Sequence, residues 1–234
     1  MKTSVDFDCF ADSYDQALEE ALSASGEDRQ YFSNGRVKSL AKCLCRISQM
    51  PHRLMDFGCG TGVTTPLLAR ILEAETIIGV DTSLRSLDVA QQNHEPDRIK
   101  FLPVSEYLPI ADVDLAYCNG VFHHIPPAQR AKALRFLYQS LRAGGLFSFW
   151  ENNPWNPGTR YVMARCAFDR DAVTLTSVEA HRLLRSEGFT VLRTDFHFIF
   201  PRVLKTLRPV ERLVSWLPLG AQYHVLCQKS IRNE

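Results

Sequence analysis

Short apolar runs alternate along the chain with longer stretches in which apolar residues recur three and four positions apart. The runs predict buried strands, and the longer stretches predict helices with one apolar face. The predicted strands cover residues 53–57, 76–80, 99–102, 113–118, 146–150, 189–200 and 221–229. This alternation predicts an α/β fold with right-handed crossovers and a mainly parallel sheet.

Local signals mark the ends of several predicted helices. Pro127 suits the first turn of a helix that Gly144 and Gly145 are expected to close. Thr176 and Glu179 have the spacing of a capping box in front of another helix. In such sheets ligands bind beyond the carboxyl ends of the strands, so functional residues are expected just after each strand.

The chain length suits a single domain over residues 1–234. We divide it into a helical cover (1–50), a core (50–150), an insertion facing the substrate (151–175) and the last part of the sheet (176–234). Residues 201–219 have an apolar stripe beside basic residues. We favour a crossover helix that covers the sheet, with a membrane-surface helix as the alternative.

Composition narrows the class of protein. With 45% hydrophobic and 23% charged residues, the chain is typical of globular proteins. A formal net charge of +1 gives no reason to expect a nucleic-acid partner. The acidic amino terminus and the shortness of the apolar runs predict a cytoplasmic protein. Seven cysteines without a CxxC pair predict free thiols, and no metal site is expected.

A glycine-rich turn follows the first predicted strand. The segment DFGCGTG begins at Asp56 and places glycine at every second position from Gly58 to Gly62, where a side chain would keep a ligand from the backbone. The amide groups of the next helix point to the same place. Asp81 ends the second predicted strand, where a carboxylate can hold the hydroxyls of a ribose. Alternatively, Asp81 caps the helix that begins near Ser83.

DFGCGTG and the later GVDTS resemble the first two motifs of class I S-adenosylmethionine-dependent methyltransferases. DVDLAYCNGVFHHIPP and LRAGGLFSF resemble the fourth strand and the following helix and strand of that family. The likeness covers roughly residues 50–150 and is close to the ubiquinone and menaquinone methyltransferases. It implies a Rossmann-like, doubly wound, seven-stranded sheet, mostly parallel, with an antiparallel last strand.

The resemblance also implies the cofactor S-adenosyl-L-methionine, with S-adenosyl-L-homocysteine as product. The residues that it assigns to cofactor binding are Asp56, Gly58, Cys59, Gly60, Thr61, Gly62, Asp81, Thr82, Ser105, Glu106, Asn119 and Tyr14. In it, Thr82 flanks the adenine and Tyr14 covers the cofactor or packs on the sheet. Ser105-Glu106 replaces the family's usual Asp-Ala pair, so either residue can face the adenine, or Glu106 is solvated.

Residues near the strand ends are candidates for handling a methyl acceptor. His123 and His124 follow the fourth strand, and histidine can remove a proton at neutral pH. The alternative is that these histidines pack the loop against the next helix. In the insertion and at its start, the candidate substrate contacts are Glu151, Trp155, Arg160 and Tyr161.

These features together predict an enzyme that transfers a methyl group to a small-molecule acceptor, lipid-linked or a natural product, mainly by in-line positioning. A cofactor-binding but inactive partner subunit is the alternative from another class. An NAD-type oxidoreductase is disfavoured because the turn reads GxGxG rather than GxGxxG and no YxxxK motif occurs. Peripheral membrane contact is not favoured, and the oligomeric state is not predicted.

Overall fold

The computed structural model describes residues 21–22, 25–94 and 98–230. The strands in this part of the chain form one seven-stranded sheet. The strands are β1 (Arg53–Phe57), β2 (Thr76–Asp81), β3 (Ile99–Pro103), β4 (Val113–Asn119), β5 (Leu141–Asn152), β6 (Phe189–His197) and β7 (Gln222–Lys229). Their order is β3-β2-β1-β4-β5-β7-β6. Strands β1 to β5 pair in parallel, and β7 is antiparallel to both β5 and β6. The predicted fold class is confirmed.

Helices cover both faces of the sheet. They are α1 (Arg29–Arg46), α2 (Thr65–Ile71), α3 (Leu84–Asn93), α4 (Pro127–Ser140), α5 (Pro157–Arg165), α6 (Ser177–Ser186) and α7 (Glu211–Val214), with 3-10 segments at Ala167–Asp169 and Arg202–Val210. Apolar residues of α1 and α2 pack on one face, against Leu54 and Leu115. Those of α4 and α6 pack on the other, against Met55 and Ala116. Consecutive strand residues thus serve opposite cores, as the period of a strand requires.

The capping box of α6 is present as predicted, since Thr176 and Glu179 each bond the other's backbone amide. The predicted glycine closure of α4 is wrong. That helix ends at Ser140, and Leu141 already has extended backbone angles and pairs with Val113 in the sheet. Gly144 and Gly145 therefore lie inside β5, next to an irregularity in its pairing with β4.

The segment 201–219 differs most from its prediction. It forms a 3-10 helix that contains Pro209, followed by the short helix α7, and neither has a buried residue. Val203 is 88% exposed and Trp216 71% exposed, so the expected crossover helix over the sheet is wrong. Proline inside the segment removes a backbone donor and interrupts a regular helix. None of the described helices is both long and apolar enough to cross a membrane.

Candidate functional site

The glycine turn joins β1 to α2 at the carboxyl edge of the sheet. Gly58 and Gly60 both have positive φ angles, of 74° and 53°. A Cβ on Gly58 would lie 2.3 Å from Val121 Cγ2, so this glycine is required by the protein's own packing. A Cβ on Gly60 would meet no atom of the described residues within 4 Å. Within that part of the chain, the turn therefore presents bare backbone at Gly60.

Asp81 ties the end of β2 to this turn. Its Oδ2 accepts a hydrogen bond from the Gly60 amide at 2.8 Å, and its Oδ1 accepts one from the Ser83 amide at 2.9 Å. The N-cap of α3 is Ser83, whose side chain accepts from the Ser86 amide. Asp81 thus shapes the turn by holding the backbone on both sides of it.

Asp56 is the buried carboxyl group of the site. It is 3% exposed, and Thr65 Oγ1 donates a 2.7 Å hydrogen bond to its Oδ2. Burial raises the pKa of Asp56 to about 7, against the lowering effect of the Thr65 hydrogen bond. Asp56 therefore connects β1 to the first turn of α2 from below the glycine turn.

The other predicted cofactor contacts lie around the same edge. Thr82, Ser105 and Glu106 are exposed, the last two in a turn closed by the Glu106 amide bonding Pro103 O at 2.9 Å. Cys59 is buried in the small core between α3 and β3. Tyr14 lies outside the described residues.

Two buried polar atoms near the turn have no hydrogen-bond partner within the described residues. They are Thr61 Oγ1, in the turn, and Asn119 Oδ1, at the end of β4. A buried acceptor without a donor costs about 1–3 kcal/mol. Together with the open space at Gly60, they fit a ligand that is rich in polar groups.

A cavity of about 680 Å³ adjoins this edge beyond the ends of β4, β5 and β7. Its walls come from α1, α5, the loop after β4 and the segment after β6. Apolar side chains such as Phe32, Val162 and Phe198 line much of it, with Asn119 at the side of the glycine turn. The volume is that of a small-molecule site.

His123 and His124 both line this cavity. His123 Nδ1 lies 2.6 Å from Oε2 of the fully buried Glu151, and its Nε2 lies 3.4 Å from Asp169 Oδ1. Burial lowers the pKa of His123, but the carboxylates of Glu151 and Asp169 raise it more, so that the net shift is upward. Burial, followed by the charge of His123, lowers the pKa of His124.

A hydrogen-bond network holds the histidine loop in place. Glu151 Oε1 accepts from the Phe122 amide at 2.7 Å. Arg130 of α4 donates to the carbonyl oxygens of Phe122 and Ile125, both at 3.0 Å. Phe122 itself is fully buried in the core. The loop is thus packed against the following helix while its two imidazoles face the cavity.

Of the four predicted substrate contacts, the structure brings some to the cavity and leaves others away from it. Tyr161 lines the cavity from α5, and Glu151 reaches it only through His123. Trp155 is 51% exposed and Arg160 is exposed, and neither lines the cavity.

Sequence reasoning did not identify Arg36 or Asp169, which both line the cavity. Arg36, 6% exposed, donates to three neutral groups: Tyr117 Oη, Gln222 Oε1 and Ser33 Oγ. A buried guanidinium with neutral partners is a sign of anion binding. Nothing near either residue in sequence resembles a motif, because their partners come from distant strands and helices.

The comparisons with known proteins agree with this geometry. A family model described as a methyltransferase domain matches residues 54–145. The trans-aconitate 2-methyltransferase of Rhodopseudomonas palustris (strain BisB5) is 27% identical over 146 residues, which are 62% of this chain and 56% of that protein. The chain spans about half the length of the curated relatives it matches.

Solved structures share the fold at low identity. An S-adenosylmethionine-dependent methyltransferase of Thermotoga maritima has a TM-score of 0.62 at 19% identity, covering 96% of this chain and 98% of that one. A Haloferax volcanii chain in complex with the Trm112 methyltransferase activator has a TM-score of 0.64 at 15% identity, covering 98% of this chain and all of that one.

The methyltransferase-domain match over residues 54–145 and the fold shared with the solved methyltransferase structures both agree with the resemblance seen in the sequence.

Proposed function

We propose that this protein is an S-adenosylmethionine-dependent methyltransferase that acts on a small-molecule acceptor. The observation that carries the proposal is the bare backbone at Gly60, which Asp81 holds at the carboxyl edge and which no described residue covers on its other side. When bound there, S-adenosylmethionine supplies a methyl group made electrophilic by its sulfonium.

The residues of the turn are suited to hold the nucleoside. The Asp81 carboxylate holds the Gly60 amide, and at this place it can accept charge-assisted hydrogen bonds from a vicinal diol. Thr82, with Ser105 or Glu106, lies on the exposed side of the same edge, where we place the adenine. The unpartnered Oδ1 of Asn119 is an acceptor for the ammonium group at the other end.

Arg36 is our candidate for the methionine carboxylate. Arg36 lies between the cavity and the glycine turn, since it lines the cavity and its charge lowers the pKa of Asp56 beneath the turn. Among the described residues its hydrogen-bond partners are all neutral, so a carboxylate would add a charged partner.

We place the methyl acceptor in the cavity. Its volume of about 680 Å³ and its apolar wall suit a small organic molecule, and Tyr161 would contact it. Several relatives are named trans-aconitate 2-methyltransferase, a name that denotes a small carboxylic acid as acceptor. We assign most of the acceleration of methyl transfer to confinement of the acceptor beside the cofactor, which orients the two molecules and excludes water.

The proposed role of the histidines is proton removal, which is needed only for a hydroxyl or protonated amine acceptor. His124 is the candidate base because His123 is already engaged with Glu151; the lowered pKa of His124 keeps it neutral and able to accept a proton, and makes it a weak base. A His124→Ala variant should lose turnover and keep its affinity for cofactor. Full turnover of that variant from pH 6 to 9 would end this part of the proposal.

The experiment that tests the function combines binding with turnover. Purified protein is titrated calorimetrically with S-adenosylhomocysteine, and then incubated with methyl-labelled cofactor and a metabolite extract. We expect binding, and label in a small molecule. Binding without transfer would favour the inactive partner subunit, and heat with NAD instead would favour the oxidoreductase. No heat from S-adenosylhomocysteine on folded protein would overturn the proposal.

A further inference from the structure

Three potential metal ligands from two parts of the chain meet on the wall of the cavity. They are His123 Nε2, His124 Nε2 and Asp169 Oδ1, which all lie within 4.8 Å of one another. Asp169 Oδ1 is 3.4 Å from each of the two nitrogens. We propose that these three residues bind a divalent transition-metal ion.

The spacing of the cluster is that of ligands around one ion. Ligands bound at about 2.0–2.1 Å in a tetrahedral site are separated from one another by about 3.3–3.4 Å. The two Asp169 contacts already have this length. Both exceed the usual length of a hydrogen bond between a ring nitrogen and a carboxylate. The remaining distance, between His123 Nε2 and His124 Nε2, would reach the same length if the two imidazoles moved slightly closer together.

The surroundings of Asp169 favour a bound cation. Its side chain is 7% exposed, and its Oδ1 accepts no hydrogen bond from any of the described residues. A carboxylate oxygen buried in this way needs a positive partner or a proton donor. The atoms closest to it are the two imidazole nitrogens that would share the ion.

Glu151 provides the support that metal-bound histidines usually have. Its Oε2 lies 2.6 Å from His123 Nδ1, while its Oε1 is held by the Phe122 amide at 2.7 Å. An ion that binds here displaces the proton from Nε2, while the carboxylate keeps the proton on Nδ1, so that the Nε2 lone pair is directed at the cluster. The carboxylate–histidine pair therefore fixes both the tautomer and the ring orientation that a metal ligand needs.

The donor set indicates which ions fit. Two imidazole nitrogens and one carboxylate oxygen suit zinc, iron(II) or cobalt(II), whereas magnesium and calcium prefer oxygen ligands throughout. All three residues line the cavity, so the open coordination positions face its interior. If the proposed methyl transfer is correct, an oxygen atom of the acceptor, hydroxyl or carboxylate, would fill one of them.

This inference departs from the expectation that the chain has no metal site. Cysteine and histidine spacing gave no signal, because the third ligand comes from the 3-10 segment Ala167–Asp169 of the insertion. Only the folding of that segment against the histidine loop, through the Val173 amide bonding His123 O at 2.8 Å, brings the three together.

The test uses the full chain after treatment with a chelator. Zinc and cobalt(II) are titrated calorimetrically into wild type, His124→Ala, Asp169→Asn and the control Asp171→Asn, an exposed acid of the same segment. We expect one equivalent to bind to wild type and to the control, with at least 100-fold weaker binding to the other two. Glu151→Gln should weaken binding 10- to 100-fold.

Cobalt(II) adds a spectroscopic signature, because three protein ligands should give visible absorption that Asp169→Asn abolishes. Circular dichroism of each variant establishes that it is folded. No stoichiometric ion on chelated wild type, or binding retained by both Asp169→Asn and His124→Ala, would overturn the inference. S-adenosylhomocysteine is titrated into the same metal-free samples. If S-adenosylhomocysteine binds but no metal does, only the metal site is contradicted. If metal binds but S-adenosylhomocysteine does not, only the proposed function is contradicted.

Discussion

The two halves of the candidate site are built in opposite ways. The cofactor side is made of neighbours in sequence: the turn from Asp56 to Gly62 and the end of β2, joined by the Asp81–Gly60 hydrogen bond. The acceptor side is assembled from α1, the histidine loop, α5 and the segment after β6. In it, His123 contacts both Glu151 and Asp169.

This difference explains which half resembles known families. A backbone turn that must approach a ligand closely admits few residues, so its sequence is restricted and recognisable. A cavity wall built from distant side chains can change one residue at a time. The family match accordingly ends at residue 145, before Glu151 and the whole insertion. Substitutions in one half should therefore leave the binding properties of the other unchanged.

The largest loss of stability among the variants is expected for Gly58→Ala. A positive φ and a Cβ 2.3 Å from Val121 should lower the free energy of unfolding by about 3 kcal/mol, from strain and overpacking. Gly60→Ala is the matched variant, with a cost of about 1 kcal/mol because its Cβ meets no atom. Its affinity for S-adenosylhomocysteine should fall instead. Urea denaturation and calorimetry distinguish the two, and equal stabilities would contradict the packing argument.

Asp56→Asn should change how stability depends on pH. Burial raises the pKa of the folded Asp56 to about 7 from an ordinary value of 3.8, so the native state holds a proton that the unfolded state releases. Wild type should therefore lose stability relative to Asp56→Asn as pH rises from about 4 to 7, by up to about 1.4 kcal/mol per pH unit. Above pH 7 the difference should be constant. Urea denaturation between pH 4.5 and 8 measures it, and a constant difference throughout would contradict the shift.

Asp81→Ala should weaken binding of S-adenosylhomocysteine at least tenfold, which is about 1.4 kcal/mol. It removes the carboxylate that we assign to the ribose and frees the Gly60 amide. Titration of zinc into the same variant serves as the control on the acceptor side, where we expect no change. An unchanged dissociation constant for S-adenosylhomocysteine would remove Asp81 from the site.

The smallest effect is expected in the insertion. Tyr161→Ala should raise the KM for the acceptor about threefold to tenfold, the worth of a partly exposed aromatic contact, with cofactor affinity unchanged. Trp155→Ala is the control, because Trp155 is equally exposed but does not line the cavity. Initial rates, measured with the acceptor found in the labelling experiment, give the KM of each variant. A larger effect at Trp155 than at Tyr161 would place the acceptor elsewhere.

Much of the fold was determined by the sequence alone. The periodicity of apolar residues placed each strand to within a few residues, and the alternation of strands and helices predicted the parallel order. Signals of this kind are local, since a strand or a capping box is recognised from neighbours such as Thr176 and Glu179. The glycine turn and Asp81 belong to the same kind of signal.

Only the tertiary structure decided where local signals compete with long-range contacts. The pairing of Leu141 with Val113 ended α4 before its glycines, and Pro209 left an apolar stripe exposed at residues 202–214. The acceptor side depends on contacts between residues far apart in the chain, such as those of His123 with Asp169 and with Glu151. Such pairs leave no periodic or spacing signal in a single sequence, because their proximity exists only once the sheet has formed.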